Sequence, residues 1–125
     1  MYRIRKRFTA EAAHQLIGLP SWHKCSRVHG HSYTVEVVLA AEELDKTGFV
    51  VDFADLEPFG RYVAEVMDHR HLNDLVPQPT SELLARHFFD WCQTNLRLRE
   101  GVRVESVTVS ETGRTSATYE PGGAR

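Results

Sequence analysis

Apolar and polar residues alternate from the start of the chain. Tyr2, Ile4, Lys6, Phe8, Ala10, Ala12 and His14 share one parity, while Arg3, Arg5, Arg7, Thr9 and Glu11 share the other. The pattern predicts a first strand with one wet, basic face, and without a bulge it leaves His14 at the strand end on the buried face. A second alternation, through Tyr33, Val35, Val37 and Leu39, predicts a strand over 29–40 and carries His29 and His31 onto the same face. A hairpin partner would share that face, so His14 is available to the pair. The connection between them, residues 15–28, is interrupted by Gly18 and Pro20, and connections of that length in compact domains are usually functional.

After the second strand, Asp45-Lys46-Thr47-Gly48 reads as a turn and Phe49-Val50-Val51 as a short extended piece. The spacing of Leu56, Phe59, Val63 and Val66 predicts a helix over 54–67, capped by Asp52, with Pro58 early enough to be tolerated. It ends at Asp68-His69-Arg70-His71-Leu72-Asn73. A loop punctuated by Pro77 and Pro79 leads to a second helix over 81–96, capped by Thr80 or Ser81, with Leu84, Phe88 and Trp91 apolar and Leu83 and His87 beside them. Strands follow over 102–112 and 116–119, joined through Gly113. The order is ββααββ, an α+β arrangement, with one domain over 1–120 and a frayed tail at 121–125.

A chain of 125 residues buries a real core but is small for an enzyme that encloses its own active site, so an oligomer is in keeping with its length. The net charge of −2 leaves no global basic field, which argues against nucleic acid as the partner and requires any anion to be held locally. Arg3, Arg5, Lys6 and Arg7 precede no apolar stretch of signal-peptide length, and no segment approaches a membrane span; a cytoplasmic protein is expected. Cys25 and Cys92 could pair only in an oxidising compartment, to which nothing points.

The chemistry concentrates in Trp22-His23-Lys24-Cys25-Ser26-Arg27-Val28-His29-Gly30-His31-Ser32-Tyr33. Imidazoles at alternate positions of a strand stand about 6–7 Å apart, and Gly30 between them leaves the approach open. With His14 they make three nitrogen ligands, which suits zinc with an open fourth position. A chance grouping of histidines is the bland alternative. A closed structural site with Cys25 as fourth ligand is another, and it would leave no nucleophile. Cys25 is flanked by His23, Lys24 and Arg27, charges that lower a thiol pKa when they point inward; otherwise it is a spectator. Asp68-His69 offers a base with its orienting carboxylate, although His69 equally suits a helix C-terminus and His71 competes for the role. Glu111 shares parity with Val107 and Val109, so it either meets water beyond the core or receives the N–H edge of a guanidine-like ligand. Lys24 and Arg27 could hold a phosphate chain, or simply be solvated.

These residues resemble the pterin synthases of the tunnelling fold, the 6-pyruvoyltetrahydropterin synthase family. The matching stretches are Phe8-Thr9-Ala10-Glu11-Ala12-Ala13-His14, His23 to Tyr33, Val51-Asp52-Phe53, Met67-Asp68-His69-Arg70-His71-Leu72-Asn73, Pro79-Thr80-Ser81-Glu82 and Ser110-Glu111-Thr112. The Cys-x-x-x-His-Gly-His spacing from Cys25 to His31 resembles the carboxytetrahydropterin branch; the pyruvoyl branch typically has two more residues before the histidine pair. The resemblance implies a four-stranded antiparallel sheet with two helices on one face, assembled as a homohexamer, a dimer of trimers, with active sites at subunit interfaces. It implies zinc on His14, His29 and His31, Cys25 as proton-abstracting base with His69 and Asp68 in its relay, and Glu111 on the pterin ring or in that relay. The implied reaction is a zinc-dependent carbon–carbon lyase step, converting 7,8-dihydroneopterin triphosphate to 6-carboxytetrahydropterin, acetaldehyde and triphosphate on the way to queuosine in tRNA. The rivals are 6-pyruvoyltetrahydropterin synthesis, a non-catalytic zinc protein and, more distantly, a zinc hydrolase.

Overall fold

The computed structural model describes residues 1–122. Two long strands, β1 (Tyr2–His14) and β2 (His29–Ala41), pair antiparallel from Tyr2↔Ala41 to His14↔His29 without a register shift. The two-residue β3 (Arg70–His71) lies parallel to β1 on its outer side; β4 (Val102–Ser110) pairs with β2 and β5 (Ala117–Tyr119) with β4. The sheet order is β3-β1-β2-β4-β5. The expected four antiparallel strands are therefore present, and β3 adds a short parallel fifth. Two residues are too few for any alternation to betray them. Of the tail expected at 121–125, residues 123–125 lie outside the described residues.

Alternation of burial along β1 and β2 follows the parity of the sequence, because a strand sends successive side chains to opposite faces. The inner face carries Ala10, Ala12, Tyr33, Val35, Val37 and Leu39, and β4 adds Val104, Val107 and Val109. The helices cover this face. Asp52 Oδ1 accepts from Ala54 N at 2.9 Å and starts a 3-10 turn (Phe53–Leu56), which runs into α1 (Glu57–Val66) with Pro58 in its first turn. Thr80 Oγ1 accepts from Leu83 N at 3.1 Å and caps α2 (Ser81–Asn95). α1 buries Phe59 and Val63; α2 buries Leu84, Ala85, Phe88, Phe89 and Cys92. The buried stripe of α2 thus includes Phe89 and Cys92, while Leu83 is turned outward. Cys92 is buried in the core, burial pushes its thiol pKa up, and both cysteines are free thiols. Among the described residues no helix is long and apolar enough to cross a membrane.

Candidate active site

At the end of the sheet where β1 stops and β2 starts, the pairing His14↔His29 and Ala12↔His31 brings three imidazoles onto the inner face. One ligand atom from each of His14, His29 and His31 lies within 4.8 Å of the other two. His14 is fully buried and the other two are half-buried. The Nδ1 of His14 is 2.7 Å from the carbonyl oxygen of Pro79, and that of His29 is 2.7 Å from the carbonyl oxygen of Arg27. A carbonyl only accepts, so each ring carries a proton on Nδ1, and in the neutral form each presents its Nε2 lone pair to the centre. These two Nε2 atoms are 2.9 Å apart.

His31 Nε2 is buried and, among the described residues, has no hydrogen-bond partner, with Glu111 Oε2 at ion-pair range, 3.4 Å away. Burial lowers the pKa of His14 and of His31, outweighing the opposing Pro79 carbonyl at His14 and the opposing Glu111 charge at His31, so both rings favour the neutral form a metal needs. Converging lone pairs, an orphaned buried nitrogen and carbonyls that fix the tautomers are what a three-histidine metal site requires. The residues fit a zinc ion.

Glu111, one residue beyond β4, continues the inward parity of Val107 and Val109 and reaches the triad: its Oε1 lies 4.0 Å from His14 Nε2 and accepts from Ser81 Oγ at 3.1 Å. Tyr33 is buried beside them with its hydroxyl 3.2 Å from His14 Nδ1. Burial first, and then the Glu111 and Cys25 charges, raise its pKa far above the ordinary phenol value. Sequence pattern alone assigns no role at the site to Tyr33, Ser81 or Pro79. Tyr33 was recoverable, since it continues the parity of His29 and His31 by one further step.

Cys25 sits in a 3-10 turn (Lys24–Ser26), half-buried, its N–H donating to His23 Nδ1 at 3.0 Å. Lys24 is exposed, and its charge adds a small part to the lowering of the His31 pKa that burial dominates. Arg27 is exposed, and its carbonyl holds the His29 ring.

Asp68 and His69 form a pair at 3.1 Å between Asp68 Oδ2 and His69 Nδ1. The pair is hung on the outer edge of β1: Glu11 N donates to Asp68 Oδ1 at 2.9 Å, and His69 N donates to the Glu11 carbonyl. The Glu11 N–H first, and His69 second, hold the Asp68 carboxyl below its usual pKa. His69 has a left-handed backbone, φ 57°, and its side chain is 80% exposed. No hydrogen bond or ion pair joins it to Cys25 within the chain, among the described residues. It does share with His31 an open hollow of about 520 Å³, also lined by Glu11, Gly30, Ser32 and His71. His71 faces Asp74 at 4.0 Å and lines the same hollow, so it borders the site without joining the Asp68 pair.

The 6-pyruvoyl tetrahydropterin synthase family model matches residues 3–122. A 6-carboxy-5,6,7,8-tetrahydropterin synthase of Bacillus subtilis is 35% identical to this chain, over 96% of it and 86% of the relative. A dihydroneopterin monophosphate aldolase of Pyrococcus furiosus is 34% identical over 75% of this chain and 77% of its own length. The 6-pyruvoyl tetrahydropterin synthase of Caenorhabditis elegans has the same fold, with a TM-score of 0.82 at 27% identity, covering 97% of this chain and 96% of that one. A triad, a cysteine loop and an inward carboxylate at one sheet end, together with a match across nearly the whole chain, have one reading: the chain belongs to the 6-pyruvoyl tetrahydropterin synthase family.

Proposed function

We propose that this protein is a zinc-dependent 6-carboxytetrahydropterin synthase, converting 7,8-dihydroneopterin triphosphate and water to 6-carboxytetrahydropterin, acetaldehyde and triphosphate, a step toward 7-deazaguanines such as queuosine. The observation that carries it is the convergence of the His14, His29 and His31 lone pairs beside Glu111, with Cys25 in the adjoining loop. The 35% identical relative of that name supports this branch of the family.

His14, His29 and His31 would hold the ion, which when bound supplies Lewis acidity to the side-chain hydroxyls of the substrate. Glu111 grips the N–H edge of the pterin as a bidentate acceptor, its orientation set by Ser81. Cys25, as thiolate, takes the carbon-bound proton next to the ring, and that electron pair passes into the ring; the pair that expels triphosphate comes from the next side-chain carbon as it loses its own proton. His69, held by Asp68, moves the second proton that precedes cleavage of the side-chain carbon–carbon bond. Lys24 supplies a cation for the phosphates; Arg27 is the weaker candidate. The exposure of His69, and its lack of any bond to Cys25 within one chain, support a homohexamer in which relay and thiol meet across subunits.

A second reading, cleavage of dihydroneopterin monophosphate by a retro-aldol step, is favoured by the 34% identical aldolase. Incubating zinc-loaded protein with the triphosphate and the monophosphate in parallel, and identifying pterin and carbonyl products by mass spectrometry, separates the readings. Acetaldehyde with 6-carboxytetrahydropterin from the triphosphate is expected. A 6-pyruvoyl product without a carbonyl fragment moves the protein to the other synthase branch, and turnover of the monophosphate alone makes it an aldolase. Unchanged substrates at full zinc occupancy leave a structural zinc protein.

A further inference from the structure

β1 ends at His14, but its hydrogen-bonding continues for three more residues with unusual partners. Gln15 N donates to Asn73 Oδ1 at 2.9 Å, and Asn73 Nδ2 donates back to the Gln15 carbonyl at 2.7 Å. Two residues on, Ile17 N donates to Gln78 Oε1 and Gln78 Nε2 donates to the Ile17 carbonyl, both at 2.8 Å. The intervening Leu16 turns the other way and donates to the Cys25 carbonyl at 2.9 Å, and the Gln15 side chain donates to the Ser26 carbonyl at 2.8 Å. Residues i and i+2 bonding to one side and i+1 to the other is the logic of a strand in a sheet.

The neighbour on that side is an imitation of a strand. β3 pairs with β1 at Ala12 and Ala13, and beyond it the chain passes through Pro77 and Pro79, which have no N–H to offer. A carboxamide carries one acceptor and a donor pair, the same functions as a peptide group. Asn73 and Gln78 thus extend the ladder with side chains where the backbone cannot. The outcome is a continuous lattice from residues 73–78, through 15–17, to the turn that holds Cys25. The same loop supplies the Pro79 carbonyl that fixes the tautomer of His14.

We propose that Asn73 and Gln78 are positioning residues for Cys25: their amides lock residues 15–17 and thereby hold the thiol's turn in register with the histidine triad. The proposal rests on the reading of Cys25 as the base. Neither amide is within hydrogen-bond reach of the triad or the thiol, so their effect on chemistry passes through the backbone they hold.

The test uses Gln78→Met and Asn73→Leu, which keep side-chain bulk while removing each amide's two bonds to residues 15–17, and at Asn73 also a longer one to the Pro77 carbonyl at 3.4 Å, in the full-length zinc-loaded protein. Zinc content and the thermal transition are measured first, so that a variant that fails to fold is set aside in favour of the other. Loss of two hydrogen bonds speeds iodoacetamide capture of Cys25 and amide exchange at Leu16 and Ile17 by about thirtyfold, with zinc still at one per chain. On dihydroneopterin triphosphate, kcat falls about tenfold or more while KM stays within about twofold, because the loss is of alignment rather than binding. Capture of Cys25 at the wild-type rate in a folded, zinc-loaded variant overturns the proposal. If wild-type protein does not turn over the substrate yet capture accelerates in the variants, the lock stands and the reading of Cys25 as base falls.

Discussion

His14 and His29 face each other with their Nε2 atoms 2.9 Å apart, and both rings have committed the Nδ1 proton to a carbonyl oxygen. Two neutral rings so placed set lone pair against lone pair, an arrangement that a cation between them turns from repulsive to favourable. Single alanine substitutions at His14, His29 or His31 are therefore expected to lower zinc affinity by at least about a hundredfold, more than the loss of a group that merely orients a ligand typically costs. Competition with a chromogenic chelator measures it. Retention of wild-type affinity by any one of them would remove that residue from the site.

The same rings make the zinc-free protein sensitive to acid. Burial lowers the folded-state pKa of His14 and His31 below the ordinary 6.5, so below that pH the unfolded chain binds protons that the folded chain refuses. Stability is then complete above pH 6.5 and falls as the pH drops from there toward the lowered values. Urea midpoints of zinc-free protein across pH 8 to 5 are expected to decline through that window, and His14→Asn is expected to flatten the decline.

Cys25→Ser is expected to keep the fold and the zinc while lowering turnover by about 10² to 10⁴, the usual worth of a positioned proton-transfer group. Loss of zinc from this variant would instead make the thiol a ligand and close the site.

Strand parity makes the triad legible in the amino-acid pattern itself, because two long strands with a period of two and an unbroken register leave little freedom for where His14, His29 and His31 point. Glu111 is legible for the same reason. The placement of Asp68-His69 is not: it depends on one left-handed residue and two bonds to Glu11, none of which has a periodic signature. Between His69 and His71, spacing alone cannot choose; the structure sets a carboxylate 3.1 Å from His69 and another 4.0 Å from His71. Asn73 and Gln78 are invisible in their role, since a side chain standing in for a strand leaves no alternation to read.

Gly60 on α1 lies against Phe8: a Cβ there would come 2.8 Å from Phe8 Cδ1 and closer still to Cε1, while the Phe8 ring packs edge-on to Phe59 at 5.6 Å. Overpacking of this kind costs about 1–3 kcal/mol, against about 1 kcal/mol gained from alanine in a helix. Gly60→Ala is expected to destabilise by about 1 kcal/mol in urea unfolding. In a Phe8→Leu background, where the ring is gone, the same substitution is expected to become neutral or stabilising.

The most direct test of an open three-histidine site with a free thiol is zinc X-ray absorption on the metal-loaded protein. Three nitrogens and one oxygen at about 2.0–2.1 Å, with no sulfur, is the expected shell. A sulfur at about 2.3 Å would show that Cys25 closes the site, and would contradict its assignment as the base.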